Sequence, residues 1–127
     1  MTDRHDNNPY AALSRLFHEP SRLAIISALC AAAEGMTFNE LKEECELTDG
    51  NLSRHLKTLE DAGIVRLRKR FVKAKPQTTV YLAESGRERF LEYLQTLEEV
   101  LRKAAEAMEP ARGESGHGLS LGQALKA

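Results

Sequence analysis

Residues 48–70 constrain the fold most, because a capped helix is followed at once by a strand rich in arginine and lysine. Thr48 suits the N-cap of this helix, since its hydroxyl can accept a hydrogen bond from a backbone N–H of the first turn. Gly63 suits the left-handed position just beyond the helix end. These signals predict a helix over about 49–62. Three leucines share one face of it at helical spacing, namely Leu52, Leu56 and Leu59.

The opposite face of this helix is small, polar and cationic. Its side chains are Asn51, Ser53, Arg54 and Lys57. Such a face is typical of a helix that enters the major groove of DNA and contacts base edges there. An ordinary amphipathic helix with a solvated face has the same periodicity, so the helix alone does not decide between the two interpretations.

The residues that follow predict a β-hairpin with a basic tip. Side chains alternate between two faces over 64–71, as in a strand. A turn is expected over 73–77, and a second β-rich run follows over 78–82. Over 50–81 there are eight basic and two acidic residues, a net charge of +6, whereas the whole chain carries −1. The positive charge is therefore gathered in one part of the chain, which indicates an anionic partner.

Three further helices are expected before this unit. The first spans 9–18, the second spans 20–33, and a short third spans 38–44. Thr37 and Glu40 form a Thr-x-x-Glu capping box at the start of the third. Two short capped helices with a hairpin directly after the second are typical of a winged helix-turn-helix. The predicted fold class is mainly α with a small β-hairpin.

The longest helix is predicted over 84–108, after the hairpin. Apolar residues recur along it at spacings of 4, 3, 4, 3 and 4, as in the seam of a coiled coil: Phe90, Leu94, Leu97, Leu101, Ala104 and Met108. At 1.5 Å per residue the helix is roughly 36 Å long, more than so small a domain can cover. We therefore predict that the seam pairs with the same helix of a second subunit. The alternative is that the first helix folds back over the seam within one subunit.

Composition bounds the rest of the chain. The domain is expected over 9–108, with a disordered N-terminus over 1–8 and a flexible tail over 109–127. Apolar runs stay well short of the roughly 20 residues of a membrane span, and the N-terminus lacks the apolar core of a signal peptide, so a cytoplasmic protein is expected. Cys30 and Cys45 are too few for a disulfide framework or a four-ligand zinc site. Both are expected to be small apolar residues in or near the core, and no metal or cofactor is expected.

Several motifs resemble those of a known family. Ser53-Arg54-His55-Leu56, followed by Leu59 and Ala62-Gly63-Ile64-Val65, resembles the Ser-x-His-Leu…Leu…Gly-Leu-Val signature of winged-helix transcriptional regulators of the ArsR and MarR kind. Residues 20–25 are similar to the second-helix motif of these regulators. Residues 75–82, with Gly86-Arg87 after them, resemble the wing and following helix of a MarR-like subgroup. The resemblance implies a homodimeric regulator, expected to repress transcription from a pseudo-palindromic operator.

The resemblance also implies double-stranded DNA as the partner, with helix 49–62 in the groove and wing 66–80 on the neighbouring backbone or minor groove. Arg54 is the expected contact to guanine and Asn51 to adenine, while wing cations are expected to contact phosphates. The expected DNA-binding residues are Thr48, Asn51, Ser53, Arg54, Lys57, Arg68, Arg70, Lys73 and Lys75. His55 lies between the two faces of its helix and is expected to pack or to contact a phosphate. Cys45 stands alone where metal-sensing members carry a Cys-x-Cys pair, so metal sensing is not expected.

Other functions remain to be weighed. An enzyme is not expected, because the sequence has no P-loop, no nucleophile elbow and no clustered Cys, His and acidic residues. A winged helix that binds a protein partner has the same fold but no need for a +6 surface. An RNA binder is disfavoured because stacking aromatics are not expected around the basic face. A small-molecule effector is a further expected partner, in a crevice lined by Leu13, Phe17, Phe90 and Tyr93, although these residues fit a simple core better.

Overall fold

A computed structural model describes residues 9–110 of the chain as five helices and a three-stranded antiparallel sheet. The elements are α1 (Pro9–Phe17), α2 (Pro20–Cys30), β1 (Met36–Thr37), α3 (Phe38–Cys45), α4 (Asp49–Asp61), β2 (Val65–Val72), β3 (Lys75–Leu82) and α5 (Glu84–Met108). This is a winged helix with a long C-terminal helix, which confirms the predicted fold class. The predictions for 1–8 and for 111–127 fall outside the described residues.

Backbone caps set the starts of α3 and α4 as predicted. The Thr48 hydroxyl accepts a hydrogen bond from the Asn51 N–H at 3.1 Å. At α3 the Thr37 hydroxyl accepts from the Glu40 N–H at 3.1 Å, and the Glu40 carboxylate accepts from the Thr37 N–H at 2.9 Å. Each cap satisfies backbone donors that have no partner within the helix, so the local sequence fixes both starts.

Helix α2 ends three residues earlier than predicted. The Ala31 and Ala32 N–H groups bond to carbonyls three residues back, at 3.3 and 3.0 Å, which tightens the chain out of the α-helix. Gly35 then turns the chain with a φ of +83°. Cys30, predicted to lie in the buried stripe of α2, is exposed, and Ile25 is fully buried instead.

The sheet has one strand more than predicted and a tighter turn. Strand β1 pairs with β3, although it has only two residues and Thr37 also caps α3. The turn expected over 73–77 contains only Lys73 and Ala74, both at positive φ, and β3 pairs with β2 from Lys75 onward. Such a turn suits the right-handed twist of the flanking strands. It also places Pro76 beside the hydrogen-bonded pair that closes the turn, where the lack of an N–H is tolerated.

One core joins the helices to the base of the sheet. Helix α1 packs on the first half of α5, with the Phe17 ring 5.1 Å from that of Phe90 and 5.2 Å from that of Tyr93. The Tyr93 hydroxyl lies 2.5 Å from His18 Nδ1, so the end of α1 is also held through a polar contact. Leu13 is buried beside these rings. The crevice predicted between the four side chains is therefore filled by the side chains themselves.

The end of α4 is fastened to the start of α5. The Ala62 carbonyl accepts a hydrogen bond from Arg89 Nη1 at 2.6 Å, and the Gly63 carbonyl accepts one from the Ser85 hydroxyl at 3.0 Å. These bonds satisfy carbonyls at a helix end, which otherwise have no partner within the helix.

The next residue tightens the same joint. The Ile64 carbonyl accepts a hydrogen bond from the Ala83 N–H at 2.9 Å. A Cβ at Gly86 would lie 2.1 Å from that carbonyl oxygen, so only glycine fits there. We call residues 62–64 together with the first two turns of α5 the α4–α5 joint.

Candidate nucleic-acid interface

Helix α4 separates its two faces as the sequence predicted. Leu52, Leu56 and Leu59 are buried in the core. The polar face is exposed along its whole length, with Thr48, Asn51, Ser53, Arg54 and Lys57 all open to solvent. The helix therefore presents a polar, cationic surface supported from behind by packed leucines.

Two residues on this surface are oriented by each other. Arg54 Nη2 donates a hydrogen bond to the Asn51 side-chain oxygen at 2.7 Å, one turn away. A guanidinium carries five N–H donors, so this bond leaves others that can reach a base or a phosphate. Lys57 lies 3.4 Å from Asp61, an exposed pair four residues apart that contributes little to stability.

His55 anchors the back of α4 rather than facing DNA. The side chain is only 5% exposed, with Nδ1 3.4 Å from Arg22 Nη1 and Nε2 3.8 Å from the Glu19 carboxylate. Burial lowers the pKa of His55 below its ordinary value of 6.5, against the opposing effect of Glu19. The imidazole is therefore held neutral at pH 7 and packs, as one of the two predicted roles required.

Arg22 is a positioning residue to which sequence reasoning gives no role. Its Nε donates to the Leu16 carbonyl at 2.8 Å and its Nη2 donates to the Arg15 carbonyl at 3.2 Å, while Nη1 contacts His55. One guanidinium thus ties the end of α1 to the back of α4. The motif at 20–25 contains the signal, since its arginine supplies several donors beside the end of α1.

Glu19 completes this buried polar cluster. Its carboxylate accepts a hydrogen bond from the Arg22 N–H at 2.9 Å and so caps α2. Burial acts to raise the pKa of Glu19, but the Arg22 backbone bond and His55 together hold it below 4.5. The cluster of Glu19, Arg22 and His55 therefore joins α1, α2 and α4 around charged groups that all have partners.

The wing, formed by β2, β3 and their turn, is cationic and exposed. Strand pairing places Arg66 opposite Tyr81 and Arg68 opposite Thr79 on one face. The Arg68 guanidinium carbon lies 5.5 Å from the Tyr81 ring centroid, a cation–π contact that orients this side chain. The remaining wing cations, Lys69, Arg70, Lys73 and Lys75, are also exposed. Lys69 faces the other side of the hairpin, so the wing is basic on both faces.

The seam of α5 divides into two parts. Phe90 is 5% exposed and belongs to the core of its own subunit, so its predicted place in a subunit interface is corrected. Leu94 and Leu101 are 41% and 42% exposed, and Ala104 and Met108 are exposed as well, while Leu97 is half-buried. Helix α1 thus covers only the start of the seam, and folding back of α1 does not hide the rest.

Comparison with known proteins agrees with this geometry. Residues 21–101 match the family described as Winged helix DNA-binding domain, and the chain belongs to that family. It is 39% identical over 80 residues to an uncharacterized protein of Methanocaldococcus jannaschii, which covers 63% of this chain and 86% of the relative.

Solved structures show the same fold. A transcriptional regulator homologue from Pyrococcus horikoshii OT3 matches with a TM-score of 0.66 and 28% identity, over 72% of this chain and 89% of that one. A MarR-family transcriptional regulator from Silicibacter pomeroyi matches with a TM-score of 0.53 and 19% identity, over 84% and 73%. The chain therefore has the winged-helix fold of MarR-type transcriptional regulators.

Two features of other protein classes are missing from residues 9–110. None of the helices there is long and apolar enough to cross a membrane. The same part of the chain holds no group of three or more His, Cys, Asp or Glu side chains placed to bind a metal ion.

Proposed function

We propose that the protein is a cytoplasmic, homodimeric transcriptional repressor that recognises a pseudo-palindromic operator. The polar face of α4 would enter the major groove, and the wing would contact the adjacent backbone or minor groove. The observation that carries this proposal is the exposed pair of Asn51 and Arg54 on a helix whose other face is wholly buried. A point mutant of MepR from Staphylococcus aureus, which has the same fold at a TM-score of 0.57 and 11% identity, is bound to an oligodeoxyribonucleotide.

The exposed part of the α5 seam supports the dimer. Leu94, Leu101 and Met108 lie along one stripe of a helix with nothing from residues 9–110 covering them. Burying that apolar stripe against a second copy would remove it from water. Two reading heads would then bind together, about 34 Å apart or at a multiple of that spacing, and gain the effective concentration of a linked pair.

The test is selection of bound sequences from a random DNA pool, with wild type and two variants. Arg54→Ala should relax base preference at one position in each half-site, by about 1–3 kcal/mol, because a base-reading fork is removed. Lys73→Ala should weaken all sequences about equally, because a phosphate contact positions without specifying. Uniform weakening by both variants would contradict the role given to Arg54.

Salt dependence separates this proposal from the winged helix as a protein-binding module. A protein that neutralises several phosphates loses affinity steeply as salt rises, with a slope of several units in a plot of log K against log salt. A flat plot for the wild-type protein, or no selected sequence at all, would favour the protein-binding module.

The proposal includes a small-molecule effector that changes DNA affinity. NadR, which shares the fold at a TM-score of 0.55 and 17% identity, has been solved in complex with 4-hydroxyphenylacetate. In this chain an open cavity of about 570 Å³ lies between α2 and α3, lined in part by Ala28, Met36 and Cys45. Small aromatic acids can be screened for release of bound DNA. Ala28→Phe, which fills the cavity, should abolish any response found, and a response that persists would place the effector elsewhere.

A further inference from the structure

The wing carries an aromatic side chain that the fold does not use. Phe71 is 74% exposed, although phenylalanine is among the residues most often buried. The sequence argument against RNA assumed that aromatics are missing around the basic face, and the structure corrects that assumption. One exposed apolar residue is common on protein surfaces, so its surroundings decide what it means.

Phe71 lies where the hairpin extends past the core. Alternation along β2 puts Phe71 on the same face as Val65 and Leu67. Val65 is fully buried and Leu67 partly buried, but Lys69 and Phe71 beyond them are exposed. The core therefore ends before Phe71, and packing within the subunit does not explain why the residue is aromatic.

The tip of the wing holds Phe71 in a defined position. It pairs across the strands with Pro76, whose ring fixes the local backbone. The turn two residues further on contains only Lys73 and Ala74, with φ values of 53° and 66°. A two-residue turn of this kind keeps the strands in register and makes the tip narrow.

Cations surround this apolar pair. Arg70 precedes Phe71, Lys73 occupies the turn and Lys75 precedes Pro76, and all three are exposed. Two wing tips of the same charge would repel each other, which disfavours a second copy of the chain as the occupant. A polyanion with apolar surface between its charges satisfies both the cations and the ring, and the minor groove of DNA has that character, with deoxyribose and base edges between two rows of phosphates.

We propose that Phe71 makes an apolar contact with deoxyribose and base edges in the minor groove, beside the major groove that α4 enters. The contact deepens the proposed function and rests on it. Arg70, Lys73 and Lys75 hold the flanking phosphates, while Phe71 adds affinity that does not depend on charge. Proteins that bind the minor groove often combine basic side chains with an apolar side chain in this way.

The test compares affinity and salt dependence for full-length variants on a DNA fragment selected by the wild-type protein. Phe71→Ala should weaken binding about ten-fold, or ~1.4 kcal/mol, without changing the slope of log K against log salt, because no phosphate contact is lost. Lys73→Ala should lower that slope by about one unit. Phe71→Tyr should keep most of the affinity, because the ring is retained.

Val72→Ala is the matched control. Val72 is the next residue, is 36% exposed and lies on the opposite face of the hairpin. It should bind DNA within about two-fold of wild type, since a minor-groove contact by the Phe71 face does not involve it. Hydroxyl-radical cleavage, which reports access to deoxyribose in the minor groove, should show protected positions that Phe71→Ala loses and Val72→Ala keeps.

Three results would overturn the inference while leaving DNA binding itself intact. They are an unchanged affinity for Phe71→Ala, an equal loss for Val72→Ala, and a change in oligomeric state caused by Phe71→Ala. Failure of the wild-type protein to select any DNA is a separate result that rejects the proposed function instead.

Discussion

Helix α4 and the second half of α5 carry leucines at similar helical spacing, yet their surroundings differ. In α4 the leucine stripe is buried by α2, β2 and the rest of one core. In α5 the stripe is buried only as far as Tyr93 and is open from Leu94 onward. Periodicity therefore identifies an apolar face but does not say which molecule covers it. The subunit alone accounts for α4, whereas α5 needs a partner.

The largest effect is expected from a charge placed in the open stripe. Leu94→Glu should raise the dissociation constant of the dimer at least about 100-fold, because pairing would bury an unpaired carboxylate, and DNA affinity should fall with it. Sedimentation at micromolar concentration measures the change. Gln95→Glu is the control, since it adds the same charge at the adjacent exposed position outside the seam. A wild-type protein that sediments as a monomer would remove the contrast between the two helices.

The second prediction concerns the joint that connects the two helices. Gly86→Ala should destabilise the fold by about 1–3 kcal/mol or more, because a Cβ there collides with the Ile64 backbone and neither side can move easily. Chemical denaturation measures the loss.

Gly50→Ala provides the matched comparison within α4. A Cβ at Gly50 meets nothing within 4 Å, so alanine should stabilise the helix by up to about 1 kcal/mol. If both glycine replacements behave alike, the joint is looser than its geometry indicates.

The smallest effect expected is a pH dependence at the back of α4. The folded protein favours neutral His55, since burial lowers its pKa below 6.5. The unfolded chain therefore binds more protons in this range, so the stability contribution is complete above pH 6.5 and is lost as pH falls through the lower folded value. His55 faces Glu19 and Arg22 from α2 and its first turn, and Arg54 from its own helix.

Denaturation midpoints between pH 7.5 and 5.5 test this sign, with His55→Gln as the variant that should flatten the curve. Glu19 acts in a separate window, because its pKa is lowered from 4.5 and its contribution is lost only below that value. Stability that rises as pH falls from 7 to 5.5 would contradict the neutral, buried imidazole.

Local signals are sufficient for much of the fold. The Thr37 and Thr48 caps, the left-handed Gly63 and the span of α5 follow from short stretches of chain, and the structure confirms them. Strand β1 escapes prediction because two residues are too few to show alternation. The predicted wing turn is too wide because proline is common in turns, whereas the register of β2 and β3 admits Pro76 as a strand residue.

Contacts between distant segments are harder to foresee. The sequence shows Arg22 and His55 as separate residues, and only the packing of α2 on α4 brings them together. Phe90 satisfies the seam pattern, but the packing of α1 claims it for the subunit core. Phe71 resembles any other apolar residue of an alternating strand until the structure shows where the core ends. Which DNA bases the exposed residues of α4 contact is a property of the complex and stays a prediction.

The α4–α5 joint has a mechanical consequence. Bonds from Ala83, Ser85 and Arg89 to three successive carbonyls make the reading helix and the long helix two arms of one rigid lever. In a dimer built on α5, the crossing angle of the two long arms would therefore fix the distance between the short ones. Operator half-site spacing would then act as a gauge of that angle, and a ligand that tilts either long arm would move its reading helix out of phase with the DNA turn.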